Sequence, residues 1–142
     1  MNLGFMYAIG AAITWGMVYT IDQRVLSGTS AITLLFIDSL ITAIVVLPFV
    51  FFDLQPIKEL FSSGKTNLLL IFLSLFLAVI ANFLILSAIK SIGASSASII
   101  EIAYPFFVVL FSFFFFKAVP NVYFFIGGLL IFIGSALITY FH

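Results

Sequence analysis

The sequence has very few charged side chains. Only 7% of its 142 residues are Asp, Glu, Lys or Arg, whereas 65% are hydrophobic and the mean hydropathy is +1.40. Soluble domains carry about 25% charged residues, because their water-facing surface requires them. The scarcity of charge therefore excludes a soluble globular protein and indicates an integral membrane protein.

Cysteine is absent, and the single histidine is the last residue, His142. The chain therefore offers no thiolate metal site and no basis for a histidine metal or acid–base site. Its five basic residues do not cluster, so no nucleic-acid-binding surface is expected. The sequence also contains no nucleophile–base pair and no phosphate-cradling loop. We expect neither an enzyme nor a bound cofactor or metal.

Long apolar runs make up most of the chain. A helix that crosses the bilayer core of about 30 Å needs about 20 mostly apolar residues. The breaks between the runs combine glycine or proline with charged residues, as helix ends and loops do. The pattern predicts an all-α integral membrane protein with five transmembrane helices, at about 3–21, 31–52, 67–89, 95–116 and 121–141.

The basic residues of the loops are nearly balanced between the two sides of the membrane. With the amino terminus inside, Lys58, Lys65 and Lys117 lie inside, and Arg24 and Lys90 lie outside. Loop Lys and Arg residues set the orientation of a membrane protein, and the side with more of them faces the cytoplasm. Two outcomes stay open: insertion with the amino terminus inside by a small margin, or insertion in both orientations.

Two carboxylates lie inside the predicted spans, Asp38 in the second and Glu101 in the fourth. A charge at the helix centre costs about 2.5–3.5 kcal/mol, so such residues usually face the bundle interior or a wet cavity. The loops before these two spans lie on the same side, and both residues are about 10 Å below that surface at a rise of about 1.5 Å per residue. Trp15 and Asn82 lie at a similar depth. The four residues are expected to form one polar layer.

Each residue of this layer also has a purely structural interpretation. Glu101 could join two helices as a protonated carboxyl. Asp38 could be satisfied by neighbouring hydroxyl groups, those of Thr33, Ser39 and Thr42. Trp15 could serve packing alone, and Asn82 could form a hydrogen bond between helices.

Pro105 follows Glu101 by four positions. Proline has no N–H, so in a continuous helix the carbonyl of Glu101 would lose its partner. In a membrane such a carbonyl must be met by a neighbour, by water or by a ligand. We expect a helix kink at Pro105, with two acceptors of Glu101 at one place.

The last span carries two pairs of small residues, seven positions apart. Small residues let membrane helices approach closely, so these positions predict helix packing, and a dimer seam is one version of it. The residues are Gly127, Gly128, Gly134 and Ser135.

Three motifs, in this order, resemble the EamA domain of the drug/metabolite transporter superfamily. The first span ends "AAITWG", the third closes "LSAIKSIGASSAS" and the fourth reads "EIAYPFFVVLFSFFFF", before a glycine-rich last span. The likeness runs from Leu3 to Phe141, so residues 1–142 are expected to form a single EamA-like domain. The positions that match the family are Trp15, Gly16, Lys90, Tyr104 and Pro105. The chain departs from the family after the fourth span, where Phe116 and Lys117 replace a frequent Gly-Glu.

The resemblance implies that this five-helix repeat pairs with a second, inverted copy. The common form of the family holds two repeats of opposite orientation around a substrate cavity. The simplest arrangement equivalent to this two-repeat form is an antiparallel homodimer with dual topology. Another chain of the same type could instead supply the second repeat. The expected location is the inner (plasma) membrane of a prokaryote, with several passes through the bilayer.

The resulting hypothesis is a proton-coupled secondary transporter or exporter of a small metabolite, amino-acid-like or otherwise small and amphipathic. Glu101 is expected to bind substrate or a proton, and Asp38 to be a second proton or cation site. Asn82 and Tyr104 are expected to donate hydrogen bonds, and Trp15 to form an apolar or cation–π wall. The alternatives are a small multidrug-type exporter of lipophilic cations and a membrane subunit that supports a partner without transporting.

Overall fold

The protein is described here by a computed structural model that covers residues 2–119 and 121–141. This part of the chain is helical and contains no strand. Pro120, which belongs to the last predicted break, and His142 lie outside the described residues. The helices are α1 (Leu3–Leu26), α2 (Ala31–Phe52), α3 (Gln55–Ser62), α4 (Lys65–Ile92), α5 (Ala94–Glu101), α6 (Tyr104–Phe116) and α7 (Val122–Phe141).

Four helical segments of the described chain are long and apolar enough to cross a membrane. They are α1, α2, α4 and the run formed by α5 and α6, Ala94–Phe116. The apolar part of α7, Val122–Ile138, is shorter. The all-α membrane architecture predicted from the sequence is therefore confirmed, and the fifth span stays a prediction that α7 would fulfil.

The chain divides into two compact units. Unit 1 consists of Met1–Arg24 and Ala88–His142, and unit 2 of Val25–Ser87. Within unit 1, α7 packs against both α5 and α6. Small residues of these helices are buried, namely Ala94, Ala97 and Ser135. Their size lets the helix backbones approach closely, as in other membrane helix pairs.

In unit 2, the side chain of Ser30 begins α2. The N–H of Thr33 donates to Ser30 Oγ at 3.1 Å, and this bond satisfies a backbone donor of the first helical turn. Helix α2 then runs to Phe52. Its bounds are those of the second predicted span.

The segment 53–66, predicted to be a break between two spans, contains the short helix α3. Pro56 stands in its first turn, where a missing N–H costs no helical bond. Just before it, the side chain of Asp53 accepts the N–H of Gln55 at 3.0 Å. A proline in the first turn, and a preceding carboxylate that accepts the first backbone N–H, thus start a helix in a stretch too short and too polar to cross the membrane.

The fourth predicted span is interrupted at Ile102 and Ala103, between α5 and α6. The N–H of Ala103 donates to the carbonyl of Ile100 at 3.2 Å, the tighter spacing typical of a terminating turn. Pro105 is the second residue of α6, a position that tolerates proline. The helix therefore ends at Glu101, before the proline, and the continuous helix assumed for 95–116 is not observed.

Candidate functional site

Unit 1 contains a hydrogen bond between α1 and the last residue of α5. The hydroxyl of Tyr19 donates to Oε2 of Glu101 at 2.7 Å, and it joins residues 82 positions apart. Both side chains are half-buried. Bonds to a carboxylate are shorter and stronger than bonds between neutral groups. Glu101 is therefore held against α1 instead of projecting freely from its helix.

An aromatic pair extends this site along α1. The ring centroids of Trp15 and Tyr19 lie 5.5 Å apart with an interplanar angle of 53°. The two residues are four positions apart and share one helical face. Trp15 keeps 52% of its surface exposed, so its ring is available to a ligand. In unit 1, Tyr19 thus contacts the ring of Trp15 and also binds the carboxylate of Glu101.

One oxygen of the carboxylate stays open. Tyr19 donates to Oε2 of Glu101, whereas Oε1 accepts no hydrogen bond from any residue that the structure describes. Tyr104, the predicted hydrogen-bond donor, is the first residue of α6 and is 61% exposed. The arrangement can therefore accept a proton or a cationic group at Oε1 while Tyr19 holds the other oxygen.

The opposite end of α5 is also bound to α1. The N–H of Ala94 donates to Oε1 of Gln23 at 2.7 Å. Gln23 follows Tyr19 by four positions and continues the face that carries Trp15. Gly93, which precedes α5, has a φ of +84°, a conformation that favours glycine. The residues "GA" at 93–94 therefore form a tight turn that is completed by a side chain of another helix.

The small residues of α7 divide into two sets. Ser135 Oγ lies 2.9 Å from the carbonyl oxygens of Ile99 and Ile131, so it binds α5 within the same chain. A Cβ placed on Gly128 would lie 3.7 Å from the ring of Phe106. Gly127 and Gly134 have no such neighbour within 4 Å. Half of the predicted dimer-packing set is therefore occupied by the chain's own α5 and α6.

A groove of about 460 Å³ lies beside Gly127 of α7. Pro105 and the amide residue Asn121 are among its lining residues. Glu101 does not line this groove. The remaining lining residues are Tyr123, Phe124, Gly127, Gly128 and Ile131.

Asp38 lies in unit 2 and is exposed on α2. Within the described chain no residue donates a hydrogen bond to it. Of the hydroxyl groups suggested to satisfy it, Ser39 donates to the carbonyl of Leu35 at 2.8 Å and Thr33 pairs with Ser30 at 2.7 Å. The structure thus leaves the carboxylate of Asp38 open to a partner from outside its own helix.

Asn82 also belongs to unit 2. Its Nδ2 donates to the carbonyl of Ala78 at 3.0 Å, one turn earlier on the same helix. The oxygen of its side chain accepts no bond from the residues that the structure describes. The single polar layer of Trp15, Asp38, Asn82 and Glu101 stays a prediction, because Trp15 and Glu101 belong to unit 1 whereas Asp38 and Asn82 belong to unit 2.

The sequence profile of the EamA-like transporter family matches residues 2–140. The chain belongs to this family. The resemblance carried by the three motifs is therefore confirmed over nearly the whole chain. No curated protein and no solved structure matches the chain significantly. The protein is thus a multi-pass membrane protein of a family of transporters and not of a family of enzymes.

Two residues of this candidate site were missed by sequence reasoning, Tyr19 and Gln23. A signal for them exists, because Trp15, Tyr19 and Gln23 recur at four-residue spacing on one face of α1. Their partners lie more than 70 positions away, however, and helical periodicity carries no information about contacts between helices.

No group of three metal-binding side chains occurs in residues 2–119 and 121–141.

Proposed function

We propose that the protein is a secondary transporter of a small amphipathic metabolite, amino-acid-like in chemistry, and that it is coupled to protons at Glu101. The observation that carries this proposal is the carboxylate held at 2.7 Å by Tyr19, beside Trp15, in a chain of a transporter family. An acid within apolar helices is expensive, and membrane proteins keep such groups at ion and substrate pathways.

The open oxygen of Glu101 gives the coupling a simple chemical form. Tyr19 occupies Oε2, so Oε1 is left for one occupant at a time, either a proton or the ammonium group of a substrate. The exposed ring of Trp15 offers an apolar or cation–π surface to the rest of the substrate. Because the two occupants exclude each other, release of the proton accompanies uptake of the substrate, as exchange by alternating access requires.

The working unit in this proposal is an antiparallel homodimer in which α7 is the fifth span of each copy. Transporters of inverted repeats place their sites between two copies of opposite orientation. The match to the family accounts for one repeat, and the near balance of loop Lys and Arg residues suits insertion in both directions. The proposal keeps Asp38 as a second proton or cation site and Asn82 as a substrate-binding residue. The proposed location is the inner membrane of a prokaryote.

A transport assay tests the proton step. Purified protein is placed in vesicles that contain a pH-sensitive dye, and L-threonine, L-leucine or L-lysine is added outside. We expect a substrate-dependent proton flux in the wild type and none in Glu101→Gln. Glu59→Gln, on the exposed helix α3, removes a carboxylate outside the apolar spans and serves as the matched control. Equal fluxes in the wild type and Glu101→Gln would refute the assignment.

A reporter fused after His142 tests the dimer. Signal from both sides of the membrane is expected for dual topology. A single orientation would exclude the antiparallel homodimer and leave a heterologous second repeat.

A second candidate function is the export of lipophilic cations. The specific observation in its favour is the Trp15–Tyr19 ring pair beside a carboxylate, a combination that also suits quaternary cations. Tetraphenylphosphonium in the same vesicles separates the two candidates, because an amino-acid transporter would not exchange it for protons. A protein that moves neither class, and that copurifies with another membrane chain, would instead fit a supporting subunit.

A further inference from the structure

Helix α5 is a short element that is bound to its neighbours at three places. Its first N–H, at Ala94, donates to Gln23, and its last side chain, Glu101, accepts from Tyr19, each at 2.7 Å. From the other side, Ser135 of α7 donates to the carbonyl of Ile99. The interruption at 102–103 separates α5 from α6. These three contacts therefore hold α5, and with it Glu101, against α1 and α7.

The contact with Gln23 satisfies a group that has no other partner available. Ala94 is only 7% exposed, so water has little access to its N–H. The preceding residue, Gly93, has no side chain with which to cap the helix, and its φ of +84° disfavours one. Because the N–H is a donor, only the amide oxygen of Gln23 can face it. Loss of that oxygen would leave a backbone donor unpaired beneath the protein surface.

The two bonds to α1 also determine the register between the helices. Tyr19 and Gln23 are about one turn apart on α1, and they hold the two ends of α5, which runs in the opposite direction. A slide of α5 by one turn, about 5.4 Å, would break both bonds. A rotation of α5 would break the one to Glu101, whose carboxylate lies off the helix axis.

We propose that Gln23 is a positioning residue for Glu101: by capping α5 it sets the place of the carboxylate against Tyr19 and Trp15. Gln23 itself does not contact Glu101 in this scheme. The effect of Gln23 on the position of Glu101 is transmitted through the eight-residue helix α5, Ala94–Glu101. The consequence for transport rests on the proposed function, whereas the structural coupling does not.

The fluorescence of Trp15 offers a direct test, since it is the single tryptophan of the chain. Emission spectra are recorded from the full chain in lipid nanodiscs, without substrate. Glu101→Ala removes the acceptor of the Tyr19 hydrogen bond and leaves the rings of Trp15 and Tyr19 in place. We expect Gln23→Met, which keeps the length of the side chain but lacks the acceptor oxygen, to shift the Trp15 emission maximum in the same direction as Glu101→Ala.

The shifts are expected to be non-additive. The double variant Gln23→Met/Glu101→Ala should shift no further than Glu101→Ala alone, because both changes remove the same contact with Tyr19. Gln23→Glu, which retains an oxygen acceptor at the same reach, should keep the wild-type spectrum. Gln55→Met, a glutamine replacement on the exposed helix α3, should also leave it unchanged.

Several results would overturn the proposal. These are a wild-type spectrum in Gln23→Met, a shift in Gln23→Glu equal to that in Gln23→Met, additive shifts in the double variant, or an unchanged spectrum in Glu101→Ala. If Gln23→Met does not fold, Gln23→Glu still decides, because a Trp15 shift in that variant contradicts the role of the acceptor.

A transport measurement separates this proposal from the function on which it rests. We expect Gln23→Met to reduce the maximal rate of proton exchange about tenfold and to change the substrate concentration for half-maximal rate much less. The reason is that Gln23 touches neither the proton nor the substrate. If the fluorescence pattern appears without any transport in the wild type, the proposed function is wrong and the positioning role stands.

Discussion

The two carboxylates within the apolar helices have opposite surroundings. In unit 1, Glu101 is half-buried, accepts a 2.7 Å bond from Tyr19 and ends a helix that is bound on both sides. In unit 2, Asp38 is exposed in the middle of α2 and has no donor in the described chain. A charge in hydrocarbon is tolerated only where something compensates it. Glu101 therefore has a hydrogen-bond donor within its own chain, whereas Asp38 has none among the described residues.

Neutralising the two acids should have unequal effects on transport. Glu101→Gln is expected to abolish substrate-dependent proton flux, because the exchange step has lost its proton site. Asp38→Asn should reduce the flux about tenfold, since it removes a second cation site but not the proposed exchange group; a tenfold change in rate corresponds to about 1.4 kcal/mol. Dye-loaded vesicles measure both. Complete loss of the proton flux in Asp38→Asn, together with a normal flux in Glu101→Gln, would contradict the main role given to Glu101.

Removing the donor to Glu101 should have the next largest effect. Tyr19→Phe deletes a hydrogen bond to a charged group, which is worth about 1.5–3 kcal/mol. If the bond is made fully in the transport-competent state, the rate should fall about 10- to 100-fold. Tyr7→Phe, on the same helix and with its side chain 69% exposed, is the matched control. Equal rates in Tyr19→Phe and Tyr7→Phe would show that the bond does not serve transport.

The contact between α7 and α5 should matter for stability more than for chemistry. Ser135→Ala removes the bond to the Ile99 carbonyl and should lower the free energy of unfolding by about 1 kcal/mol. For a chain of this size the thermal midpoint should fall by about 2–4 °C. Ser39→Ala, whose hydroxyl bonds only within α2, should change the midpoint less. A larger fall in Ser39→Ala would contradict the importance given to the α5–α7 contact.

The smallest expected effect on the fold concerns the face of α7 that carries Gly127 and Gly134, which have no neighbour within 4 Å. Gly127→Leu meets no neighbouring atom within 4 Å at its Cβ, so the single chain should fold unchanged. If this face packs against a second copy, the dimer fraction measured by mass photometry should fall. Gly128→Ala, which faces Phe106 at 3.7 Å, should leave the dimer fraction as in the wild type. The opposite pattern would place the seam elsewhere.

Hydropathy was sufficient to predict the broad architecture. The second predicted span has the bounds of α2, and the predicted third span lies within α4. Length and apolar content decide whether a segment can enter a bilayer, so such spans can be predicted from local composition. The helix α3 was not predicted, and the sequence predicted a kink at Pro105 but not the interruption at 102–103 that precedes it. Both depend on hydrogen bonds at helix ends, which a hydropathy pattern does not register.

The candidate site was only partly predictable, for a physical reason. Glu101 and Trp15 were recognised because an acid and an aromatic residue in an apolar, small-residue setting are unusual. Tyr19 looked like an ordinary residue of an apolar span, and its role arises from a partner 82 positions away. Depth along a helix can be calculated from sequence, but the direction in which one helix faces another cannot. For the same reason, shared depth alone could not assign Asp38 and Asn82 to the surroundings of Glu101.

Infrared difference spectroscopy of the protein in lipid tests most directly whether Glu101 takes up the proton. Acid-minus-neutral spectra contain a C=O stretching band for each carboxyl group that becomes protonated. We expect one band that disappears in Glu101→Gln, changes frequency in Tyr19→Phe because the hydrogen-bond donor is lost, and persists in Asp38→Asn. A spectrum in which no carboxyl band responds to either Glu101→Gln or Tyr19→Phe would contradict this expectation.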